Sequence, residues 1–321
     1  MDFSRPLKID RFLTLSCRVL PGPMAGVMNP VFCLAASRLG LIRNWVTPFQ
    51  CVSSGSVPSL RRLKAKLDPF RNSHDLIAQL LGHDSGSLAE TAPRLAHAGA
   101  HGLNLNFACP APLVLKNGNG GAVLKDPDLV HAISAAVAAS AQDVMNVSVK
   151  IRCGAEDAMQ ELPVLADAVK SAGIRFVIAH FRTVQELYDP VPPVEAYRRL
   201  ARLRELLGDD VILIGNGDIR SFSDGERMCR ETGCDGIAAG RAILTDPFLL
   251  QRIAENDNTP STEAERLCFL RGTIDCAKAL GYPLRKWLRT GFLEFARMCY
   301  GRESEQFRRI ASDPEQFAAE N

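Results

Sequence analysis

Between residues 17 and 240, short apolar runs alternate with longer amphipathic ones, and this alternation limits the possible folds more than any other feature of the 321 residues. Eight runs read as strands: 17–24, 44–52, 76–81, 102–107, 146–151, 174–180, 211–216 and 235–239. The stretches between them, among them 87–98, 127–141, 162–172, 193–207 and 223–232, carry apolar residues three and four apart, as a helix with one face on a core does. Runs such as Val211-Ile-Leu-Ile are apolar without alternation, the mark of a parallel sheet covered on both faces. Eight strands with intervening helices is the count of a (β/α)8 TIM barrel. The alternative is an open doubly wound sheet, but no Gly-x-Gly-x-x-Gly follows the first strand.

After residue 245 the strand signals stop. Residues 261–280, 284–300 and 303–311 read as consecutive helices, entered through the polar linker Asn256-Asp-Asn-Thr-Pro260. The expected organisation is therefore an α/β barrel over 1–255 and a small all-helical domain over 256–321. Within 281–311 seven Lys and Arg, including Arg285, Lys286 and Arg289, face three Glu. A second basic cluster, Arg61-Arg62-Leu-Lys64-Ala-Lys66, falls between the second and third strands. Net charge is only +2, so a polyanion would be held by local patches rather than by the whole surface. The ten cysteines form no Cys-x-x-Cys pair, which argues against a metal site and a disulfide framework and fits a reducing cytoplasm. Residues 1–10 lack the apolar core of a signal peptide, and no run is long enough to span a membrane.

In a barrel of this kind, chemistry is done at the C-terminal strand ends and the loops that follow. The first strand ends in Pro23-Met24-Ala25-Gly26, the third in Gln79-Leu-Leu-Gly82 and the fifth in Lys150-Ile-Arg152-Cys-Gly154. The sixth ends in His180-Phe-Arg182-Thr183, the seventh in Asn216-Gly217-Asp218 and the eighth in Gly240-Arg241. The fourth carries Asn104 and Asn106 in alternation, then Cys109-Pro110, then a glycine-rich loop with Gly118, Gly120 and Gly121. Backbone N–H groups at Gly217 and Gly240, with Arg241 opening a helical turn, suit a phosphate, whether of a flavin or of a sugar. Lys150 on the barrel floor costs desolvation unless it faces an anion. Beside a flavin it would stabilise charge on the reduced ring, and Gln79 offers both a donor and an acceptor to the imide edge of that ring.

Taken together, these strand ends and the basic helical C-terminus resemble the tRNA-dihydrouridine synthases over nearly the whole chain, and in detail the bacterial C-type members. The resemblance implies FMN on the barrel mouth, reduction by NADPH, and transfer of a hydride to C6 of a uracil. It implies that Cys109 protonates C5, and a thiol is a competent general acid at neutral pH. It further implies that Pro23, Met24, Ala25, Gln79, Lys150, His180, Asn216, Gly217, Asp218, Gly240 and Arg241 hold FMN. Asn106, Arg152 and Tyr188 would meet the RNA nucleotide, while Arg285, Lys286 and Arg289 would meet phosphates of tRNA or another structured RNA. A cytoplasmic monomer without membrane contact or bound metal is expected. Three positions depart from the family pattern: Ala108 stands where Gly precedes the cysteine, Phe181 where His-Gly-Arg-Thr is usual, and Pro48 where Thr is followed by Glu. Two other readings remain: an FMN-dependent barrel acting on a small pyrimidine metabolite, and a non-catalytic RNA-binding paralogue.

Overall fold

The computed structural model describes residues 1–70 and 75–319. Eight parallel strands form the wall: β1 (Val19–Pro21), β2 (Asn44–Val46, resumed at Gln50–Cys51), β3 (Asp75–Leu81), β4 (Gly102–Phe107), β5 (Asn146–Arg152), β6 (Phe176–His180), β7 (Ile212–Asn216) and β8 (Gly236–Ala239). Each pairs with its sequence neighbour from β2 to β8, and β8 returns to β1, so the chain forms the expected (β/α)8 barrel. Among the described residues the ladder stays open only between β1 and β2. There the buried Asn44 bridges the gap: its Nδ2 donates to the carbonyls of Cys17 (2.8 Å) and Val19 (3.0 Å), and its Oδ1 accepts from the Ser16 N–H (2.9 Å).

Five strands are shorter than the apolar pattern predicts, two of them markedly. β1 is reduced to three residues because Pro21 and Pro23 have no N–H to give a ladder. β2 breaks at residues 47–49, around Pro48, for the same reason, and resumes two residues later. Several helices start earlier than predicted because an aspartate caps them. Asp84 accepts from the Ser87 N–H, and Asp157 accepts from the N–H groups of Met159 and Gln160.

Among the described residues ten α-helices accompany the strands: α1 (Pro30–Arg38), α2 (Leu60–Leu67), α3 (Ser85–His97), α4 (Pro112–Lys116), α5 (Pro127–Ala141), α6 (Ala158–Ser171), α7 (Pro193–Leu207), α8 (Phe222–Thr232), α9 (Ala242–Thr245) and α10 (Leu249–Ala254). The core has two parts. Outside the wall, the apolar faces of the helices cover the strands. Inside it, Leu20, Val46, Ile77, Ile178 and Ile214 meet Leu7, Leu13 and Leu15 from a short N-terminal hairpin (Leu7–Lys8 with Thr14–Leu15). The barrel is thus filled, and ligand space remains only at its ends.

The C-terminal segment is helical as expected: α11 (Glu263–Ala279), α12 (Leu284–Trp287), α13 (Leu293–Tyr300), α14 (Glu305–Ser312) and an unanticipated α15 (Pro314–Ala319). A single π turn, Leu288–Phe292, joins α12 to α13, where the Trp287 ring lies against Gly291 and any Cβ would sit 2.2 Å from it. The segment docks on α1 through Phe32, whose ring meets Phe269 at 5.5 Å and Phe295 at 5.9 Å.

The β8–β1 seam depends on Gly236, where a Cβ would lie 2.5 Å from the Arg18 carbonyl oxygen, a backbone atom that cannot move aside. Gly236→Ala is therefore expected to destabilise the protein by about 1–3 kcal/mol, seen as a lower Tm and urea midpoint. Unchanged melting would mean that the seam tolerates a methyl group.

Candidate active site at the barrel mouth

Strand register alone assembles most of the site. Gln79 lies opposite Asn104, Asn104 opposite Ser148, and Asn106 opposite Lys150. Arg152 lies opposite His180, and His180 opposite Asn216. Above these ends opens a cavity of about 510 Å³, a size typical of small-molecule sites. It is walled by Pro23, Met24 and Ala25 after β1, Asn106 and Cys109 at β4, and Lys150 and Arg152 at β5. His180 and Tyr188 come from β6 and its loop, Asn216, Gly217 and Asp218 from β7, and Gly240 and Arg241 from β8.

Gln79 is the one mouth residue expected from the sequence that does not line this cavity. It faces a second, smaller one, and both ends of its amide are engaged. Nε2 donates to Asn104 Oδ1 (2.8 Å), and Oε1 accepts from Asn106 Nδ2 (2.8 Å). Asn104 Nδ2 in turn donates to Ser148 Oγ (2.9 Å), whose hydroxyl donates to the Leu103 carbonyl (3.0 Å). At the other end of the chain, Asn106 Oδ1 accepts the N–H groups of both Ala108 and Cys109 at 3.0 Å. Four buried side chains thereby fix the turn that presents the Cys109 thiol. The alternation of Asn104 and Asn106 already puts both on one face of the strand, while Ser148, in another strand, carries no signal in the sequence.

Two of the glycines after Cys109 pack directly against that turn. Gly121 N–H donates to the Cys109 carbonyl (3.0 Å), and a Cβ at Gly120 would lie 2.8 Å from that same oxygen. A Cβ at Gly121 would meet Val184 at 2.7 Å.

The mouth is strongly cationic. Lys150 forms no ion pair or hydrogen bond with any described residue, and burial together with the Arg152 guanidinium lowers its pKa to about 7. Burial, then Lys150 and three arginines, hold His180 well below its ordinary range, so its ring is neutral. Its Nδ1 accepts the Arg182 N–H (3.2 Å), which leaves the proton on Nε2 as a donor. Asp218 is clamped by Arg182 (3.1 and 2.6 Å) and Arg241 (3.2 Å). Burial alone would raise its carboxyl, but the two guanidinium groups keep it below the usual range.

Arg152 ties three loops together by donating to the carbonyls of Ala108 (3.0 Å), Thr183 (2.7 Å) and Leu187 (2.8 Å). Leu187 has φ +50°, and the ring of the following Tyr188, 56% exposed, lies 4.9 Å from Arg241 and 5.8 Å from Arg152. The departures from the family pattern also have structural roles. Phe181 packs over Gly217 so tightly that a Cβ there would lie 2.3 Å from the ring, and Gly217 has φ +131°. Ala108 is buried between its bonds to Asn106 and Arg152. Pro48 lies at the break in β2, beside Phe49, which lines both cavities. Arg285, Lys286 and Arg289 do not line the mouth, and Arg285 and Arg289 both pair with Glu315 at 3.1 Å.

In fold alone, the chain is similar to the old yellow enzyme of Trypanosoma cruzi, with TM-score 0.61 and 13% identity over 81% of this chain and 93% of that one. Morphinone reductase is similar to the same degree, with TM-score 0.56 and 13% identity over 83% and 92%. Fold and site together define a (β/α)8 barrel enzyme with its chemistry at the strand ends. The family model described as "Dihydrouridine synthase (Dus)" matches residues 20–319, so the chain belongs to the dihydrouridine synthase family, which are oxidoreductases. Among curated relatives, a protein of Vibrio parahaemolyticus named tRNA-dihydrouridine(16) synthase is 30% identical over 304 residues, 91% of either chain. One of the same name from Aquipseudomonas alcaligenes is 33% identical over 238 residues, 72% of this chain and 73% of the relative.

An ammonium whose pKa falls on folding binds fewer protons in the folded chain than in the unfolded one. For Lys150 this holds between about pH 7 and its ordinary value of 10.5. The destabilisation is complete below pH 7 and fades as pH rises through that window. In ligand-free protein, Lys150→Met should raise Tm, and by more at pH 6 than at pH 10. Equal gains at both values would mean that the ammonium keeps its water.

Proposed function

We propose that this chain reduces the C5–C6 double bond of a uridine in tRNA to 5,6-dihydrouridine, with FMN as cofactor and NADPH as reductant. One observation carries the reading: in a chain of the dihydrouridine synthase family, a thiol, an unpaired lysine and a neutral histidine meet in one cavity. The residues present fit FMN. The backbone N–H groups of Gly217, Asp218 and Arg241 donate to nothing among the described residues, and with the Arg241 guanidinium they suit a phosphate. Lys150 has a positive charge to offer a reduced ring, and His180 offers the Nε2 proton to an acceptor. Pro23, Met24, Ala25, Asn216 and Gly240 would form the walls around the ring and its chain, and Gln79 would reach it through its remaining N–H. Bound FMN, reduced by NADPH, supplies the hydride that C6 of the uracil receives.

The chain's own residues do the rest. Cys109, held in place through Asn106, gives its thiol proton to C5 from the face the turn presents. Asn106 has spent one Nδ2 hydrogen on Gln79 and has a second for a base carbonyl. Tyr188 and Arg152 lie where an unstacked nucleotide would enter. Residues 1–255 would be the catalytic barrel and 256–321 the RNA-binding helical domain, with Arg285, Lys286 and Arg289 on phosphates. The enzyme would act as a monomer in the cytoplasm, where tRNA is processed. The names of the relatives make position 16 of tRNA the site to test.

Purified protein should be yellow, carry FMN and oxidise NADPH. Mapping dihydrouridine along tRNA from cells with and without the chain should reveal one position that depends on it. Cys109→Ala should keep FMN but lose about 10²- to 10⁴-fold in the rate of uridine reduction. Protein unable to take up FMN would refute the reading, and a full rate in Cys109→Ala would remove the thiol from the mechanism.

A further inference from the structure

No Asp or Glu stands between Asp10 and Asp68, whereas Arg11, Arg18, Arg38, Arg43, Arg61, Arg62, Lys64 and Lys66 all do. Pro48, in place of the acidic residue usual in the family, belongs to this acid-free stretch. The four cations outside α2 find partners elsewhere in the fold. Arg11 pairs with Asp143 (3.3 Å) and Arg43 with Glu255 (3.2 Å). Arg18 donates to the Asp235 carbonyl (3.0 Å), and Arg38 reaches Cys276 Sγ (3.7 Å). The four on α2 do not: Arg61, Arg62, Lys64 and Lys66 are exposed, and none of their side chains makes an ion pair or hydrogen bond with a described residue.

The ridge adjoins the mouth. Lys66 lines the smaller cavity, of about 100 Å³, which shares Phe49 with the mouth cavity. The exposed Cys51 lies within electrostatic reach of Arg62, Lys66 and Cys109. The basic helical C-terminus offers less free charge than its sequence promises. Arg285 and Arg289 share Glu315, Arg297 pairs with Glu294, and Arg308 pairs with Glu303 (2.7 Å).

We propose that the exposed face of α2 is the principal phosphate-binding ridge of the protein, gripping the RNA backbone beside the nucleotide that enters the mouth. The proposal rests on the RNA-reducing function above. Four unpaired cations on a rigid helix exchange condensed counterions for phosphates without first breaking an internal ion pair. They position the RNA without reading its bases. A membrane surface fits the ridge poorly, because the apolar face of α2 (Leu63 and Leu67) is already buried in the core.

The test measures tRNA binding by the full-length protein as a function of salt, with dihydrouridine formation followed in parallel. Substituting Arg61→Gln, Arg62→Gln, Lys64→Gln and Lys66→Gln together leaves Leu63 and Leu67 in place and keeps residues of high helix propensity, so an unchanged Tm checks folding. Affinity should fall at least about tenfold, and the slope of log K against log salt should become shallower by about 3. A charge-preserving variant, Arg61→Lys with Arg62→Lys, should keep the wild-type slope. Arg285→Gln with Arg289→Gln should change the slope less than the α2 variant does. If wild-type protein forms dihydrouridine and the α2 variant binds tRNA with unchanged affinity and slope, the ridge is refuted and the function stands. If the wild-type chain forms no dihydrouridine in tRNA, both fail. If the α2 variant loses affinity only for anionic vesicles and not for tRNA, the ridge serves a different partner and the proposal is overturned.

Discussion

The site depends on a run of buried amides. A carboxamide taken out of water needs partners at both ends, and each group left unpaired costs about 1–3 kcal/mol. Ser148, Asn104, Gln79 and Asn106 satisfy one another in sequence, and the last bond ends on the backbone of Ala108 and Cys109. A slip of one residue between β3, β4 and β5 would turn every side chain of the slipped strand to the opposite face and break the run. The same hydrogen bonds therefore set the strand register and the position of the thiol, two properties usually maintained separately.

The second constraint is electrostatic. Lys150, Arg152, Arg182 and Arg241 converge on the mouth against a single carboxylate there, Asp218, which Arg182 and Arg241 already hold. Such an arrangement is costly while the mouth contains only water, and that cost appears as the low pKa of Lys150 and the neutrality of His180. An anion in the mouth reverses the sign for Lys150, restoring its proton and converting the unfavourable field into binding energy. His180 keeps its Nε2 free as a donor, because its Nδ1 is taken by the backbone.

Much of this was legible in the sequence because barrels place their chemistry at strand ends and glycine marks backbone that other residues cannot adopt. The eight apolar runs gave the strands, and their polar ends gave nearly every residue of the mouth. What failed did so for identifiable reasons. The sequence offers Gln79 a ligand but not its protein partners Asn104 and Asn106, which lie in another strand and which only register reveals. Gly120 and Gly121 mark a loop in the sequence, but do not reveal there that their closest neighbours are Cys109 and Val184. Phe181 looked like an intrusion into a glycine position, yet the space it needs is provided by Gly217 in the following strand.

Charge is the property that a linear reading misjudges most. Seven basic residues against three acidic ones over 281–311 suggest a bare cationic surface, but the count leaves out Glu315, which lies beyond that window and pairs with two of them. The four cations of α2 form a smaller cluster by sequence, in a stretch that supplies no carboxylate of its own, and the fold brings none to them among the described residues. An ion pair already formed must be given up before an arginine can bind a phosphate, while an unpaired cation exchanges only counterions and water. Four of the seven basic residues of 281–311 are thus already paired, whereas all four of α2 stay free beside a cavity that shares Phe49 with the mouth. Placing the grip on the barrel itself makes the distance from phosphate to thiol a property of one rigid body, which is what a reaction needing a single nucleotide in a single orientation requires.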